Sequence, residues 1–98
     1  MKAENYQISA LEKLANSKLI TKIYPMIDEI SVLYVEGTIW IRINLKDPGI
    51  TKENMYEKGF DPHYLIDYHI KKLMKYLGFE KYTPVDFVVY DAEGKIID

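Results

Sequence analysis

Apolar positions change rhythm three times along this chain, and each rhythm predicts an element. In "YQISALEKLA", Ile8, Leu11, Leu14 and Ala15 recur at helical spacing, so residues 4–16 read as an amphipathic helix. "NSK" at 16–18 breaks it. Ile20 and Ile23 then either extend the helix or belong to a turn, because Pro25 pushes Tyr24 out of the helical region.

The rhythm becomes period two in "ISVLYVEGTIWIRINL". Two β-rich runs flank Glu36-Gly37, the signature of a tight hairpin. With those two residues as the turn, Val35 faces Thr38, Tyr34 faces Ile39, Leu33 faces Trp40, Val32 faces Ile41 and Ile30 faces Ile43. Alternation then sorts the side chains. Ile30, Val32, Tyr34, Ile39, Ile41, Ile43 and Leu45 form the core face. Ser31, Leu33, Val35, Thr38, Trp40, Arg42 and Asn44 form the other.

Beyond "DPG" at 47–49, Thr51 is placed to cap a short helix over roughly 52–58 that stops at Gly59. Asp61 at N-cap and Pro62 at N1 start a longer helix that ends at Leu77, with Gly78 just beyond. "VDFVVYD" at 85–91 is a buried-type strand, "DAEG" a turn, and "KIID" a short returning edge strand. The expected fold is α+β. It is a two-layer α/β sandwich in the order α-β-β-α-α-β(-β), with helices on one face of a small mixed sheet. Ninety-eight residues make one domain, 1–98.

The long helix holds both histidines, His63 and His69. At about 100° per residue, Ile66, Ile70, Leu73 and Leu77 form its buried stripe, and the histidines flank opposite edges of it, roughly 120° apart. Metal ligands on one helix need i, i+4 spacing, so a metal site using both is disfavoured. His63 and Asp67 are i, i+4, and either make an ordinary surface pair or an acid/base dyad. The dyad lacks a nucleophile: the chain has no Cys, and Ser9, Ser17 and Ser31 sit in no recognisable elbow. Phosphate-binding glycine loops and calcium loops are also missing from the sequence, so no catalytic constellation and no cofactor or metal is expected.

Tyr64, Tyr68, Lys71, Lys72 and Lys75 fall opposite the buried stripe. Tyrosine interleaved with lysine suits a phosphate backbone and bases, although a lysine-rich last turn also answers the helix dipole. Leu33, Val35, Trp40 and Arg42 make the second hairpin face half apolar. That face either meets a partner, most economically a second copy in a homodimer, or lies under the first helix or the Pro25 segment.

Composition narrows the setting. Net charge is −2, with 13 basic and 15 acidic residues, which gives no general footprint for nucleic acid or anionic membrane. The longest apolar run is far short of a membrane span, and Met1–Ala10 carries no secretory signal, so a cytoplasmic location is expected. Many Ile, Lys and Glu with few Asn and Gln and no Cys lean toward a thermophilic source. A chain this small without legible chemistry also fits an accessory protein of a genome, plasmid or virus.

As an order of elements, α-β-β-α-α-β resembles the type II KH domain. The resemblance implies RNA or DNA binding, here through Tyr64, Tyr68, Lys71, Lys72 and Lys75. The GxxG loop expected between the paired helices is replaced by "EKGFDPH", with one glycine and a proline. Two functions follow as expectations. The first is a non-enzymatic binding or regulatory module acting by protein contact, as a homodimer through Leu33, Val35, Trp40 and Arg42. The alternative is a KH-like nucleic-acid binder.

Overall fold

The computed structural model describes residues 3–98. Helix α1 (Asn5–Ala15) and a single-turn α2 (Lys18–Thr21) precede a hairpin of β1 (Ile27–Val35) and β2 (Thr38–Leu45). A helix α3 and strand β3 (Val85–Tyr90) follow. α3 has three consecutive segments: an α-helical start, Pro62–Tyr64, a π-helical stretch, Leu65–Ile70, and an α-helical end, Lys71–Tyr76. The fold is α+β, with a mixed three-stranded sheet ordered β1-β2-β3. β2 is central, antiparallel to β1 and parallel to β3.

The hairpin follows from its turn. Glu36 (φ 49°) and Gly37 (φ 82°) both adopt the left-handed region, as a two-residue turn matched to strand twist requires. That turn fixes the register Val35–Thr38, Tyr34–Ile39, Leu33–Trp40, Val32–Ile41 and Ile30–Ile43. Ile30, Val32, Ile39, Ile41, Ile43 and Leu45 are buried, and Tyr34 is half-buried. They form one hydrophobic cluster with Leu11 and Ala15 of α1, Leu65, Ile66, Ile70 and Met74 of α3, and Phe60.

α1 is tied down at both ends. Buried Gln7 accepts from the Glu4 amide (2.9 Å) and donates to the Leu77 carbonyl (3.1 Å) at the end of α3. Asn16, the C-cap, reaches the outer edge of β1. Its amide donates to the Ile30 carbonyl (2.7 Å) and its oxygen accepts from the Ile30 amide (2.8 Å). α2 is capped by Ser17, buries Ile20, and leaves Ile23 exposed before Pro25.

Two expectations are corrected. Residues 52–58 are successive turns rather than a helix. Thr51 and Asn54 bond to each other's main chain, the Thr51 amide to Asn54 Oδ1 (2.7 Å) and the Asn54 amide to Thr51 Oγ1 (3.3 Å). Asn54 also donates to the Gly49 carbonyl (2.9 Å). These are the bonds of a helix start, but only the Met55 and Lys58 amides reach four residues back before Gly59 and Phe60 turn the chain, so no regular helix propagates. The paired helices of the KH-like order are thereby reduced to one helix preceded by turns.

The second correction concerns the phase of α3. Its N-terminus is as expected, with Asp61 accepting from the His63 and Tyr64 amides and Pro62 at N1. The π-helical bonding, with the Lys71 amide donating to the Ile66 carbonyl, then brings residues five apart toward one face. Leu65 and Ile70 are both fully buried, although a regular α-helix would set them about 140° apart. Leu73 and Leu77, assigned to the buried stripe, are only half-buried.

β3 is shorter than its sequence pattern, and "KIID" returns along its outer edge through a single bridge, Tyr90 to Ile96. The Val89 amide donates to the Asp98 carbonyl (2.9 Å), and the Ile97 amide to the Val89 carbonyl (2.8 Å).

Candidate interaction surfaces

The sheet has helices on one face only, and the other face is open. Leu33 (58% exposed), Val35 (48%) and Trp40 (37%) stand on it. Trp40 is the least exposed of the three. β3 contributes three further residues that sequence could not place there, because strand pairing across a crossover is non-local. Register sets Asp86 beside Trp40, Val88 beside Arg42 and Tyr90 beside Asn44. The Arg42 guanidinium lies over the Tyr90 ring, 4.2 Å from its centroid, and its Nε donates to Asn44 Oδ1 at 3.4 Å. This stacking holds the chain's single arginine flat against the sheet, with an acidic residue, Asp86, on the same face.

On α3, Tyr64 and Tyr68 are about half exposed and stack on each other, 5.0 Å between centroids and 6° between planes. Lys72 sits over Tyr68 at 5.2 Å. Lys71 pairs with Asp67 at 3.1 Å, which removes it from the free cationic set. Lys75 points instead into a groove beside the loop that enters β3. Of the five Tyr/Lys residues, the structure therefore brings Tyr64, Tyr68 and Lys72 together and diverts the other two.

His63 and Asp67 do not meet. His63 packs edge-on against Phe87 of β3, at 5.1 Å, while the Asp67 carboxylate takes Lys71. His69 carries the interaction that sequence reasoning missed. Its ring stands edge-on to Tyr24 (5.5 Å), Tyr64 (5.6 Å) and Tyr68 (4.9 Å). Burial, aided by the Lys72 charge, lowers its pKa from the ordinary 6.5. Burial likewise raises the Tyr24 hydroxyl above 10.0, with Tyr64 and Asp61 adding to the effect. Among the described residues, no group of three or more His, Asp or Glu could hold a metal ion. Among the same residues, no helix is long and apolar enough to cross a membrane.

A groove of about 730 Å³ opens beside α3. Met74, Phe79 and Val85 supply its apolar wall, and Lys75 and Lys81 stand on its rim. It lies between the last turn of α3 and the start of β3. Comparison with protein-family models, with curated proteins and with solved structures finds no match for this chain.

Proposed function

We propose that this protein is a non-enzymatic contact module that pairs with a second copy through its open sheet face. The observation that carries the reading is the one-sided sheet, whose uncovered face presents Leu33, Val35 and Trp40 around Arg42. Apolar side chains so gathered favour a partner surface, and Trp and Arg are the residue types that concentrate binding energy. A two-fold pairing suits this face because it carries both signs of charge, Arg42 and Asp86, so each copy offers the other an opposite charge.

Its size sets the strength. Three strands about 4.8 Å apart and about seven residues long span a projected area of roughly 330 Å². Standard interfaces bury about 800 Å² per partner, so the pairing is weak, with a Kd in the micromolar range or above.

Sedimentation equilibrium across protein and salt concentration tests it, on wild type and Trp40→Glu. The expected result is a salt-tolerant monomer–dimer equilibrium for wild type and a folded monomer for the variant. A wild type that stays monomeric up to about 1 mM, where association is worth only about 4 kcal/mol, overturns the reading.

One observation favours a second reading, a KH-like single-stranded nucleic-acid contact on α3. Tyr64 and Tyr68 form a stacked pair whose exposed rings offer a platform for a base, with Lys72 beside it. Titration of a labelled single-stranded oligonucleotide tests it. Binding that weakens steeply with salt and is lost in Tyr68→Ala supports it, and no binding at low salt removes it.

A further inference from the structure

Beyond the open face, we infer that the outer edge of β3 at Val85–Phe87, with the groove beside it, is a docking site for an extended aliphatic–acidic peptide segment. This surface is separate from the open sheet face, so its test stands whether or not the chain dimerises.

The edge is competent and half used. The tail bonds to both main-chain groups of Val89, so Val89 faces outward, and the two-residue period turns Phe87 and Val85 outward as well. The Phe87 amide is occupied by its neighbour's carboxylate, Asp86 Oδ1, at 2.8 Å. No group among the described residues bonds the Phe87 carbonyl or the outward main chain of Val85. Lys95–Asp98 shows what pairing this edge accepts: it runs antiparallel to β3 and bonds to Val89 and Asp91. A segment laid antiparallel along Phe87 and Val85 would pair with the edge in the same sense, by strand addition.

The groove gives that segment its side-chain chemistry. Alternate residues of an added strand point toward α3, where Met74, Phe79 and Val85 offer an apolar wall. The charges fix its direction. In the antiparallel sense the segment starts beside Phe87 and ends beyond Val85, near Lys75 and Lys81. Carboxylates at its C-terminal end therefore meet the two lysines, whereas carboxylates at its N-terminal end meet Asp86. Glu80, also on the rim, limits the attraction without reversing it.

The probe is fluorescein-labelled Val-Ile-Val-Asp-Glu, followed by fluorescence anisotropy against the intact chain. The reversed sequence, Glu-Asp-Val-Ile-Val, keeps composition and charge, and an N-methylated version removes the main-chain donors. The expected result is saturable binding of the first peptide, weaker by about tenfold for the reversed and N-methylated forms. Lys75→Glu with Lys81→Glu should weaken it by about tenfold or more, with the circular dichroism spectrum and melting curve unchanged. Equal affinity for the forward and reversed peptides, or for the N-methylated form, overturns the inference, as does an absence of binding to the wild-type chain.

Discussion

Asn16 makes the sharpest stability prediction. Its side chain closes a two-bond ring with Ile30, whose own side chain is fully buried, and also donates to the Glu12 carbonyl (2.8 Å). Asn16→Ala leaves the Ile30 amide and carbonyl facing the vacated edge. A hydrogen bond contributes about 1 kcal/mol net, and an unsatisfied buried group costs about 1–3 kcal/mol. Asn16 is itself exposed, so water reaches the vacated edge and keeps the loss toward the low end, about 2 kcal/mol for the pair. An unfolding entropy of about 2.1 cal/mol/K per residue over 98 residues converts this to a fall in Tm of about 10 °C. Asn16→Asp keeps the acceptor for the Ile30 amide but sets a carboxylate against two carbonyls, so it should be at least as destabilising as Ala. Urea denaturation followed by circular dichroism measures both, with an unchanged m-value as the check that only stability moved. A loss below about 0.5 kcal/mol for Asn16→Ala would refute the reasoning, because the edge would then be equally well satisfied by water.

Three further outcomes are expected. Glu36 is a non-glycine residue in left-handed backbone, so Glu36→Asn should raise stability by about 0.5 kcal/mol or more in the same denaturation assay. Gly37→Ala should lower it by about 1 kcal/mol, through backbone conformation alone, since a Cβ there would meet nothing within 4 Å. His69 has a folded pKa below its unfolded 6.5, so the unfolded chain binds the extra proton. Its contribution is therefore fully present above pH 6.5 and is lost as pH falls through the lowered value; His69→Gln should flatten the stability profile across that window.

The hairpin was legible to the residue because two local facts determine it. Glu36-Gly37 fixes the turn, and period-two alternation leaves one register that buries Ile30, Ile41 and Ile43 together. Asp61-Pro62 and Gly78 marked the ends of α3 for the same reason: caps are local chemistry. What sequence hid was non-local or competitive. Thr51 and Asn54 do form the reciprocal bonds of a helix start, but the chain turns at Gly59 and Phe60 before a regular helix propagates over 52–58. The π-helical stretch exists where Leu65, Ile66 and Ile70 all reach the core, so a stripe drawn at fixed turn took in Leu73 and Leu77 and left out Leu65. Half of the open face was visible as Leu33, Val35, Trp40 and Arg42. Asp86, Val88 and Tyr90 joined it only through the parallel pairing of β3 with β2, which no local pattern encodes.

The way the edges are closed bears on how this protein makes contacts. A three-stranded sheet has two free edges, each a template for uncontrolled pairing. At β1, Asn16 holds Ile30, and Glu12 accepts from the Val32 amide at 3.4 Å. At β3, the tail covers Val89 and Asp86 turns its carboxylate onto the Phe87 amide. Three of these four devices are polar side chains, and a polar side chain blocks an edge without adding apolar surface. The face, by contrast, carries Leu33, Val35 and Trp40 with no such defence. The β1 edge, guarded by side-chain hydrogen bonds beside an unguarded apolar face, directs self-association away from open-ended strand addition and toward a closed, face-to-face pair, while Val85 and the Phe87 carbonyl of β3 leave room for only a short added segment. Removing the guard should therefore change the kind of assembly: Asn16→Ala with Glu12→Ala should show concentration-dependent growth of β-rich aggregates under native conditions, where Trp40→Glu shows only a monomer. Light scattering with far-ultraviolet circular dichroism reads the difference. A double variant that remains as soluble as wild type would mean that Asn16 and Glu12 fasten α1 to the sheet without guarding its edge.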